Sequence, residues 1–211
     1  ALSPATLVLH YGQSIFEALK AYALADGSVG MFRAGRNAAR MAASARRIAM
    51  PQLPQGGFEQ ACELLVDADR GWVPTADGSA LYVRPFMFGA EAHLSVQPAN
   101  EYLFVVIASP VASYFGPHLR AITVAVEHTD VRATPGGTGD AKFAGNYAAG
   151  FAAHGRAGAA GHDQVLWLDA AEHRWVEELN AMNVVLVWRR DGATVVTTPP
   201  SLRFLPNAST T

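Results

Sequence analysis

A continuous apolar run from Leu103 to Ala108 places a strong constraint on the fold of this chain. A short run of this kind is typical of a strand that is covered on both faces. We predict a strand over Tyr102 to Pro110 at the centre of a sheet, with Leu81 to Phe88 as a second strand. Half of the 211 residues are hydrophobic and only 16% are charged, which indicates a folded chain with a substantial core.

The remaining periodic segments predict an α+β fold with two lobes. We expect a domain over residues 1–113, an interdomain linker over 114–120 that contains Gly116-Pro117, and a second domain over 121–211. In the first domain we predict a hairpin of strands 15–22 and 29–32 around Asp26-Gly27, a helix from an Asn37 N-cap to about Met50, and a helix over 58–69. In the second we predict a strand over 121–127, a glycine-rich loop, a helix over 146–156, and short strands over 164–168, 173–178, 184–188 and 194–198.

Charge and cysteine content narrow the classes of function. The net charge of −2 gives no electrostatic case for a nucleic acid or an anionic membrane as partner. Cys62 is the single cysteine, which excludes an intrachain disulfide framework, and its helical setting predicts a buried core thiol. The histidines lack the spacing of a zinc site, so we expect no metal. No apolar run reaches the ~20 residues that span a bilayer, and we expect a cytoplasmic protein.

Lys142 is the residue with the clearest potential for chemistry. It follows the glycine-rich loop Gly136-Gly137-Thr138-Gly139 and precedes an alanine-rich helical pattern in a charge-poor stretch. An amine backed by apolar residues can lose its solvation and form a Schiff base with a carbonyl compound. A solvated lysine on a helix face explains the same spacing. A phosphate-binding P-loop does not, because Phe143 stands where that motif requires Ser or Thr.

Other polar residues each allow a functional and an ordinary interpretation. One of Glu177 and Glu178 can point inward from a strand and, by its negative charge, keep a heterocyclic nitrogen protonated, or both can form an exposed acidic pair. Arg33 can bind a phosphate at a helix start or lie on the surface. Tyr82 and Arg84 share one strand face and suit a carboxylate, and a solvated pair fits equally well. Tyr11 and Tyr147 can donate to a cofactor oxygen or be half-buried phenols.

Taken together, a series of ordered segments resembles the branched-chain amino-acid aminotransferases, which are pyridoxal-phosphate enzymes of fold type IV. The order and spacing of the segments are also similar to those of the family. The matching segments are 9–13, 16–22, 32–33 with Asn37 and Arg40, 44–46, 50–51, 81–86, 108–110, 114–115, 132–133 with 136–139, 142 with 145–147, 164–169, and 176–178 with 182–183.

The resemblance implies a role for each matching site residue. Lys142 resembles the lysine that holds the cofactor aldehyde as a Schiff base and moves the substrate proton. Glu178 resembles the carboxylate on the pyridine nitrogen, Tyr147 the tyrosine on the phenolic oxygen, and Arg33 the phosphate-binding arginine. The resemblance also implies a substrate pocket, lined by Tyr11, Phe16, Tyr82 and Arg84.

The implied reaction is transfer of an amino group between leucine, isoleucine or valine and 2-oxoglutarate, with pyridoxal 5'-phosphate as cofactor, in amino-acid biosynthesis. The resemblance also implies a homodimer. Two alternatives remain open: a non-catalytic remnant of the family, and another fold-type-IV enzyme such as a D-amino-acid aminotransferase or an aminodeoxychorismate lyase. Segments 81–85 and 178–183 resemble the branched-chain group more closely.

Some positions depart from the family pattern. Ala18 stands where the family usually has glycine, and residues 207–211 do not continue the segment that Leu205-Pro206 begins. Compared with the family, we expect the 211 residues to lack segments at both ends and to have a truncated second lobe. On that basis we expect these residues alone to bind the cofactor weakly and to turn over slowly or not at all.

Overall fold

The computed structural model describes residues 1–113, 120–180 and 182–199, and two compact units make up the chain. One unit comprises Ala1–Arg120 together with Ala141–Ala144, and the other comprises Ala121–Asp140 together with Gly145–Thr211. Most of the expected linker, residues 114–119, and the segment from Leu205 lie outside the described residues. The four residues around Lys142 therefore group with the first unit, although residues of the second unit flank them in the chain.

The first unit combines a sheet with helices. Its elements, in chain order, are α1 (Val8–Tyr11), β1 (Ser14–Phe16), β2 (Leu19–Ala23), β3 (Val29–Met31), α2 (Ala34–Arg47), α3 (Gly57–Ala68), a 3-10 turn (Arg70–Trp72), β4 (Ala80–Gly89) and β5 (Tyr102–Val111).

The sheet of the first unit is antiparallel, and its central strand is β4. One edge of β4 pairs along its whole length with β5, while the other edge pairs with β1 and β2 in succession. The prediction that the apolar run forms a central strand is therefore wrong. Among the described strands β5 pairs with β4 alone, and Leu103 and Ile107 are 45% and 53% exposed. An apolar run indicates that the side chains on both faces of a strand are apolar. It does not indicate how many edges of that strand pair with other strands.

Two local predictions for the first unit need correction. The hairpin around Asp26-Gly27 is confirmed for β2 and β3, but the expected strand over 15–22 is interrupted at Glu17, whose carboxylate is fully buried. Asn37 is not the N-cap of α2, because the helix begins at Ala34 and the side chain of Asn37 bonds to Glu17 instead. The predicted helix over 58–69 is confirmed as α3.

Residues on the inner face of the sheet form the core of this unit with α2 and α3. Ile15, Val83 and Met87 of the sheet pack in one cluster with Met41 of α2 and Phe58 of α3. The strands alternate, so the neighbours of these residues point to the opposite face. Position 16 pairs with position 86, which places Phe16, Tyr82 and Arg84 together on that outer face. The core therefore sets the direction in which these three side chains point.

The single cysteine belongs to the core, as its helical setting predicts. Cys62 lies in α3 with no exposed surface. Burial raises the pKa of the Cys62 thiol to about 12, with further contributions from Glu59, Glu63 and Glu17. A thiol with so high a pKa is almost entirely protonated at neutral pH and is a poor nucleophile. Cys62 thus contributes packing to the first unit.

In the second unit, the described residues form a small mixed sheet, two helices and a hairpin. Its elements are β6 (Val124–Glu127), α4 (Ala144–Ala148), α5 (Phe151–Ala159), β7 (Gln164–Leu168), β8 (Val176–Leu179), β9 (Leu186–Arg190) and β10 (Ala193–Thr197). The first residue of α4 is shared with the segment that groups with the first unit. β7 pairs in parallel with β6 and antiparallel with β8, and β9 pairs with β10.

The predicted helix over 146–156 is split into α4 and α5 at Ala149-Gly150. A Cβ atom at Gly150 would lie 3.3 Å from the Trp167 ring and 3.2 Å from the amide oxygen of Asn180. The close approach of this backbone to the sheet explains the glycine and the break, which the alanine-rich pattern conceals. The strand prediction over 164–168 is confirmed as β7.

Asp169 organises the turn that joins β7 to β8. Its carboxylate accepts backbone N–H bonds from Ala171, Glu172, Arg174 and Trp175 at 2.8 to 3.1 Å. These bonds, led by the one from Trp175, hold the pKa of the Asp169 carboxyl well below its usual range. A carboxyl with a lowered pKa stabilises the fold above its unfolded-state pKa of about 3.9, and the contribution is lost as the pH falls further.

We therefore expect Asp169→Asn to be destabilising at pH 7, because its amide cannot accept four N–H bonds. The deficit in free energy of unfolding relative to the unchanged chain should narrow as the pH falls from 5 to 3. Urea unfolding monitored by circular dichroism over this pH range measures it. An unchanged deficit at every pH would contradict the role assigned to the carboxylate charge.

Helices long and apolar enough to cross a bilayer are absent from the residues that the structure describes.

Candidate active site

Lys142 lies on a short extended segment that is bonded to the sheet and to α2 of the first unit. The carbonyl oxygen of Lys142 accepts a 3.1 Å bond from the backbone N–H of Phe16. Its own backbone N–H donates to the hydroxyl of Ser44 at 2.8 Å, and the next residue, Phe143, forms a β-bridge with Ile15. The lysine is therefore partly buried just before α4 and does not lie on a helix face, so the interpretation as a solvated helical lysine is wrong.

Two cationic side chains approach the Phe16 ring. The Lys142 ammonium lies 4.8 Å from the ring centroid, and the guanidinium carbon of Arg84 lies 4.5 Å from it. Both distances are in the range of cation–π contacts. Arg84 also donates a 2.5 Å hydrogen bond to the hydroxyl of Tyr82, two positions away on the same strand face. The structure thus brings together Lys142, Phe16, Tyr82 and Arg84, four of the predicted site residues.

The donors in this group have capacity for an anionic ligand. The Nε–H of Arg84 is buried and has no hydrogen-bond partner among the described residues. A buried donor without an acceptor is costly, and a ligand carboxylate would satisfy it with a charge-assisted bond. The amine, the guanidinium and the phenol therefore fit a small molecule that carries both a carbonyl and a carboxylate.

The residue that follows Phe16, Glu17, has a buried carboxylate that binds side chains of α2. Glu17 accepts two 2.6 Å bonds from Arg40 and a 2.8 Å bond from Asn37, and none of its surface is exposed. The sequence placed Glu17, Asn37 and Arg40 within matching segments, but it indicated no contact among them. An acid flanked on both sides by consecutive apolar residues was the available signal.

Tyr11 and Arg33 lie at the ends of helices. The hydroxyl of Tyr11 donates to the carbonyl of Leu94 at 2.5 Å, and the side chain is 42% exposed. Arg33 precedes α2 in a left-handed backbone conformation, is exposed, and stands 5.8 Å above the ring of Phe32. The helix that the sequence predicted to start at Asn37 thus begins at Ala34, directly after Arg33. The roles of both residues in substrate or phosphate binding stay predictions.

In the second unit, Glu178 forms a buried ion pair with Arg132. The two side chains are 11% and 9% exposed. The expectation that only one acid of the pair points inward is wrong, because Glu177 and Glu178 are 5% and 8% exposed. Strand alternation sends the two side chains to opposite faces, but here both faces of β8 are covered.

Tyr147 lies in α4, where it is partly exposed. The residue before it fixes the glycine-rich loop, because the Asn146 amide donates to the carbonyl of Thr138 and accepts from the Thr138 hydroxyl, each at 2.7 Å. This reciprocal pair orders the loop and the start of α4 together. The sequence signalled the loop through its glycines but gave no sign of the pairing.

The model of the family described as "Amino-transferase class IV" matches residues 14–207. This match covers most of the chain and includes every candidate residue except Tyr11. The chain belongs to the class IV aminotransferase family. The class IV relatives include the probable branched-chain-amino-acid aminotransferase of Streptomyces coelicolor, which is 53% identical over 203 residues. They also include the branched-chain-amino-acid aminotransferase of Mycolicibacterium smegmatis, 49% identical over 199 residues.

The match to the Streptomyces coelicolor protein covers 96% of this chain and 55% of that relative. The match to the Mycolicibacterium smegmatis protein covers 94% and 54%, respectively. The chain thus spans about half the length of the curated relatives it matches. Among solved structures, the branched-chain amino acid aminotransferase of T.th. with pyridoxamine 5'-phosphate has a TM-score of 0.75 and 28% identity, over 92% of this chain and 61% of that one. The Escherichia coli enzyme has a TM-score of 0.78, over 98% of this chain and 65% of that one. Its sequence identity is 23%, so this similarity supports the fold alone.

Proposed function

We propose that this chain acts in transamination between branched-chain L-amino acids and 2-oxoglutarate, with pyridoxal 5'-phosphate as its cofactor. The observation that carries the proposal is the placement of the Lys142 ammonium and the Arg84 guanidinium against the same Phe16 ring. The names of the relatives support the choice of reaction, and the pyridoxamine 5'-phosphate in the T.th. structure supports the choice of cofactor.

The bound cofactor would supply an aldehyde and an aromatic ring that withdraws electrons from the substrate carbon. Lys142 is the residue we propose to hold that aldehyde, and its amine, once released, would take the proton from the substrate α-carbon and deliver it to the cofactor carbon that carried the aldehyde. Phe16 gives the amine an apolar support at 4.8 Å. Because the backbone of Lys142 is fixed at its N–H and its C=O, the amine can return to one position after each transfer.

We propose that Glu178 stabilises the protonated pyridine nitrogen and that Tyr147 binds the phenolic oxygen. The buried carboxylate of Glu178 suits the first task, since a negative charge favours the protonated form of a nearby heterocycle. Arg132 orients this carboxylate through its ion pair. Arg33, at the N-terminal end of α2, is the proposed phosphate ligand, as a guanidinium and the N–H groups of a helix start both favour an anion.

We propose that Tyr11, Phe16, Tyr82 and Arg84 contact the substrate. The guanidinium of Arg84 is suited to a substrate carboxylate, because its buried Nε–H has no acceptor among the described residues. Tyr82 holds that guanidinium in place through its 2.5 Å hydrogen bond. Phe16 presents an apolar surface that fits a branched aliphatic side chain.

We further propose a homodimer that works in the cytoplasm, in amino-acid biosynthesis. A single buried cysteine without a disulfide is typical of a reducing compartment and supports this placement.

Transamination is tested by incubating the chain and pyridoxal phosphate with leucine and 2-oxoglutarate, and by measuring glutamate. Isoleucine, valine and D-alanine complete the substrate panel. Any glutamate that these residues form, at the slow turnover expected of them alone, should come from the three branched-chain L-amino acids. A conversion of pyridoxal phosphate to its amine form by leucine, read as a change in visible absorption, would support the first half of the reaction without turnover. Activity confined to D-alanine would overturn the choice of substrate.

A further inference from the structure

Ser44 is a buried hydroxyl in the middle of α2 that bonds to the backbone of the candidate lysine. Its side chain is part of a residue only 1% exposed, and its oxygen accepts a 2.8 Å bond from the backbone N–H of Lys142. The two residues are 98 positions apart in the chain. Serine has no propensity advantage in a helix interior, and a buried hydroxyl costs free energy unless it is bonded.

The bond completes a set of fixed points on the Lys142 segment. The N–H of Phe16 bonds to the carbonyl of Lys142 on one side of the residue, and the Ser44 hydroxyl bonds to its N–H on the other. The bridge between Phe143 and Ile15 extends the pairing by one residue. The peptide groups on both sides of the lysine Cα are therefore held.

The same face of α2 supports the ring against which the lysine amine lies. Asn37, Arg40 and Ser44 are spaced at i, i+3 and i+7, which places them on one side of the helix. The first two bind Glu17, the neighbour of Phe16, while the third binds Lys142. One helix thus fixes both partners of the 4.8 Å contact between the amine and the Phe16 ring.

We propose that Ser44 is a positioning residue for Lys142 and that its hydroxyl sets the reactivity of the lysine amine toward a carbonyl ligand. The proposal rests on the proposed function, in which Lys142 holds the aldehyde of the cofactor. Reacting groups must be held within a fraction of an ångström of the productive geometry, and a shift of the backbone is carried to the end of the side chain. Without this hydrogen bond, we expect the Lys142 segment to stay in place on the sheet, but its backbone would no longer be held at one position against α2.

The contact itself can be tested without cofactor, by hydrogen exchange of the Lys142 amide in the unliganded chain. We expect Ser44→Ala to speed that exchange about fivefold or more, since a typical hydrogen bond contributes on the order of one kcal/mol. Cys62→Ala is the matched control, because it also removes one buried heavy atom from a helix of the same unit. It should leave exchange at Lys142 unchanged.

The functional consequence is read by reduction of the pyridoxal phosphate adduct with borohydride and peptide mapping. Lys20 is the only other lysine in the sequence, so the ratio of label at Lys142 to label at Lys20 is an internal measure of reactivity. We expect the ratio to fall about fivefold in Ser44→Ala and to stay constant in Cys62→Ala. Ser44→Cys fills the same space with a weaker acceptor and should also lower the ratio, which separates the bond from the cavity.

The outcomes separate this inference from the proposed function. If the unchanged chain shows no preference for Lys142 over Lys20, the proposed function and this inference with it are overturned. If the unchanged chain prefers Lys142 and both Ser44 variants keep that ratio, the role of Ser44 alone is overturned. A loss of the ratio in Cys62→Ala as large as in Ser44→Ala would assign the effect to general packing of the unit and would also overturn it.

Discussion

Replacing Lys142 with alanine should remove covalently held pyridoxal phosphate from the chain and abolish amino-group transfer. The substitution deletes the amine that lies 4.8 Å from the Phe16 ring centroid. Loss of a group that transfers a proton in the reaction typically costs a factor of about 10² to 10⁴ in rate. Visible absorption of the chain titrated with pyridoxal phosphate measures the first effect, and conversion of leucine to its 2-oxo acid measures the second.

Lys20→Ala is the control for this experiment, because it removes the only other lysine of the sequence. Lys20 lies on β2 opposite Tyr82, on the same face of the sheet as the candidate site. Its loss should leave the visible absorption band in place. Retention of the band in Lys142→Ala, together with its disappearance in Lys20→Ala, would show that Lys20 holds the cofactor. That result would contradict the assignment of Lys142.

Replacing Glu17 with alanine should strongly destabilise the first unit. Glu17 is fully buried and accepts bonds from Arg40 at 2.6 Å and from Asn37 at 2.8 Å. The side chain of Arg40 is 13% exposed, so its guanidinium would lose its carboxylate without gaining access to water. Breaking a buried ion pair from one side typically costs about 3–5 kcal/mol. Urea unfolding followed by circular dichroism would measure the loss.

The surface pair of Arg70 and Asp67 provides the control. The side chains of these two residues are 58% and 74% exposed, at a separation of 3.0 Å. Asp67→Ala should change the free energy of unfolding by less than about 1 kcal/mol, since exposed ion pairs are weak. If Glu17→Ala and Asp67→Ala lowered the free energy of unfolding equally, the buried ion pair of Glu17 would contribute no more to the stability of this unit than an exposed pair does.

Elements marked by strong alternation or by turn residues could be predicted from the sequence. The strands β4 and β7, the hairpin at Asp26-Gly27 and the helix α3 follow from side-chain periodicity and turn preferences, which are local properties. The edge position of β5 could not be predicted, because pairing depends on residues far away in the chain. The break at Gly150 was hidden for a similar reason, since Trp167 and Asn180 set its close approach.

The candidate site divides in the same way. Residue types and their order pointed to Lys142, and the spacing of Tyr82 and Arg84 placed them on one strand face. The roles of Glu17 and Ser44 could not be derived, because their partners are 23 and 98 positions away. The prediction that only one of Glu177 and Glu178 points inward was wrong, because both side chains are buried. Alternation along a strand predicts the face on which a side chain lies, but it does not predict whether that face is covered.

The most direct test of the central claim is to locate the amine that binds pyridoxal phosphate. The chain is loaded with the cofactor, reduced with borohydride, digested and mapped by mass spectrometry. With Lys142, Lys20 and the N-terminal amine as the available primary amines, we expect the label on Lys142 in large excess. Equal labelling of the three amines, or label concentrated on Lys20, would contradict the assignment of Lys142 as the residue that holds the cofactor.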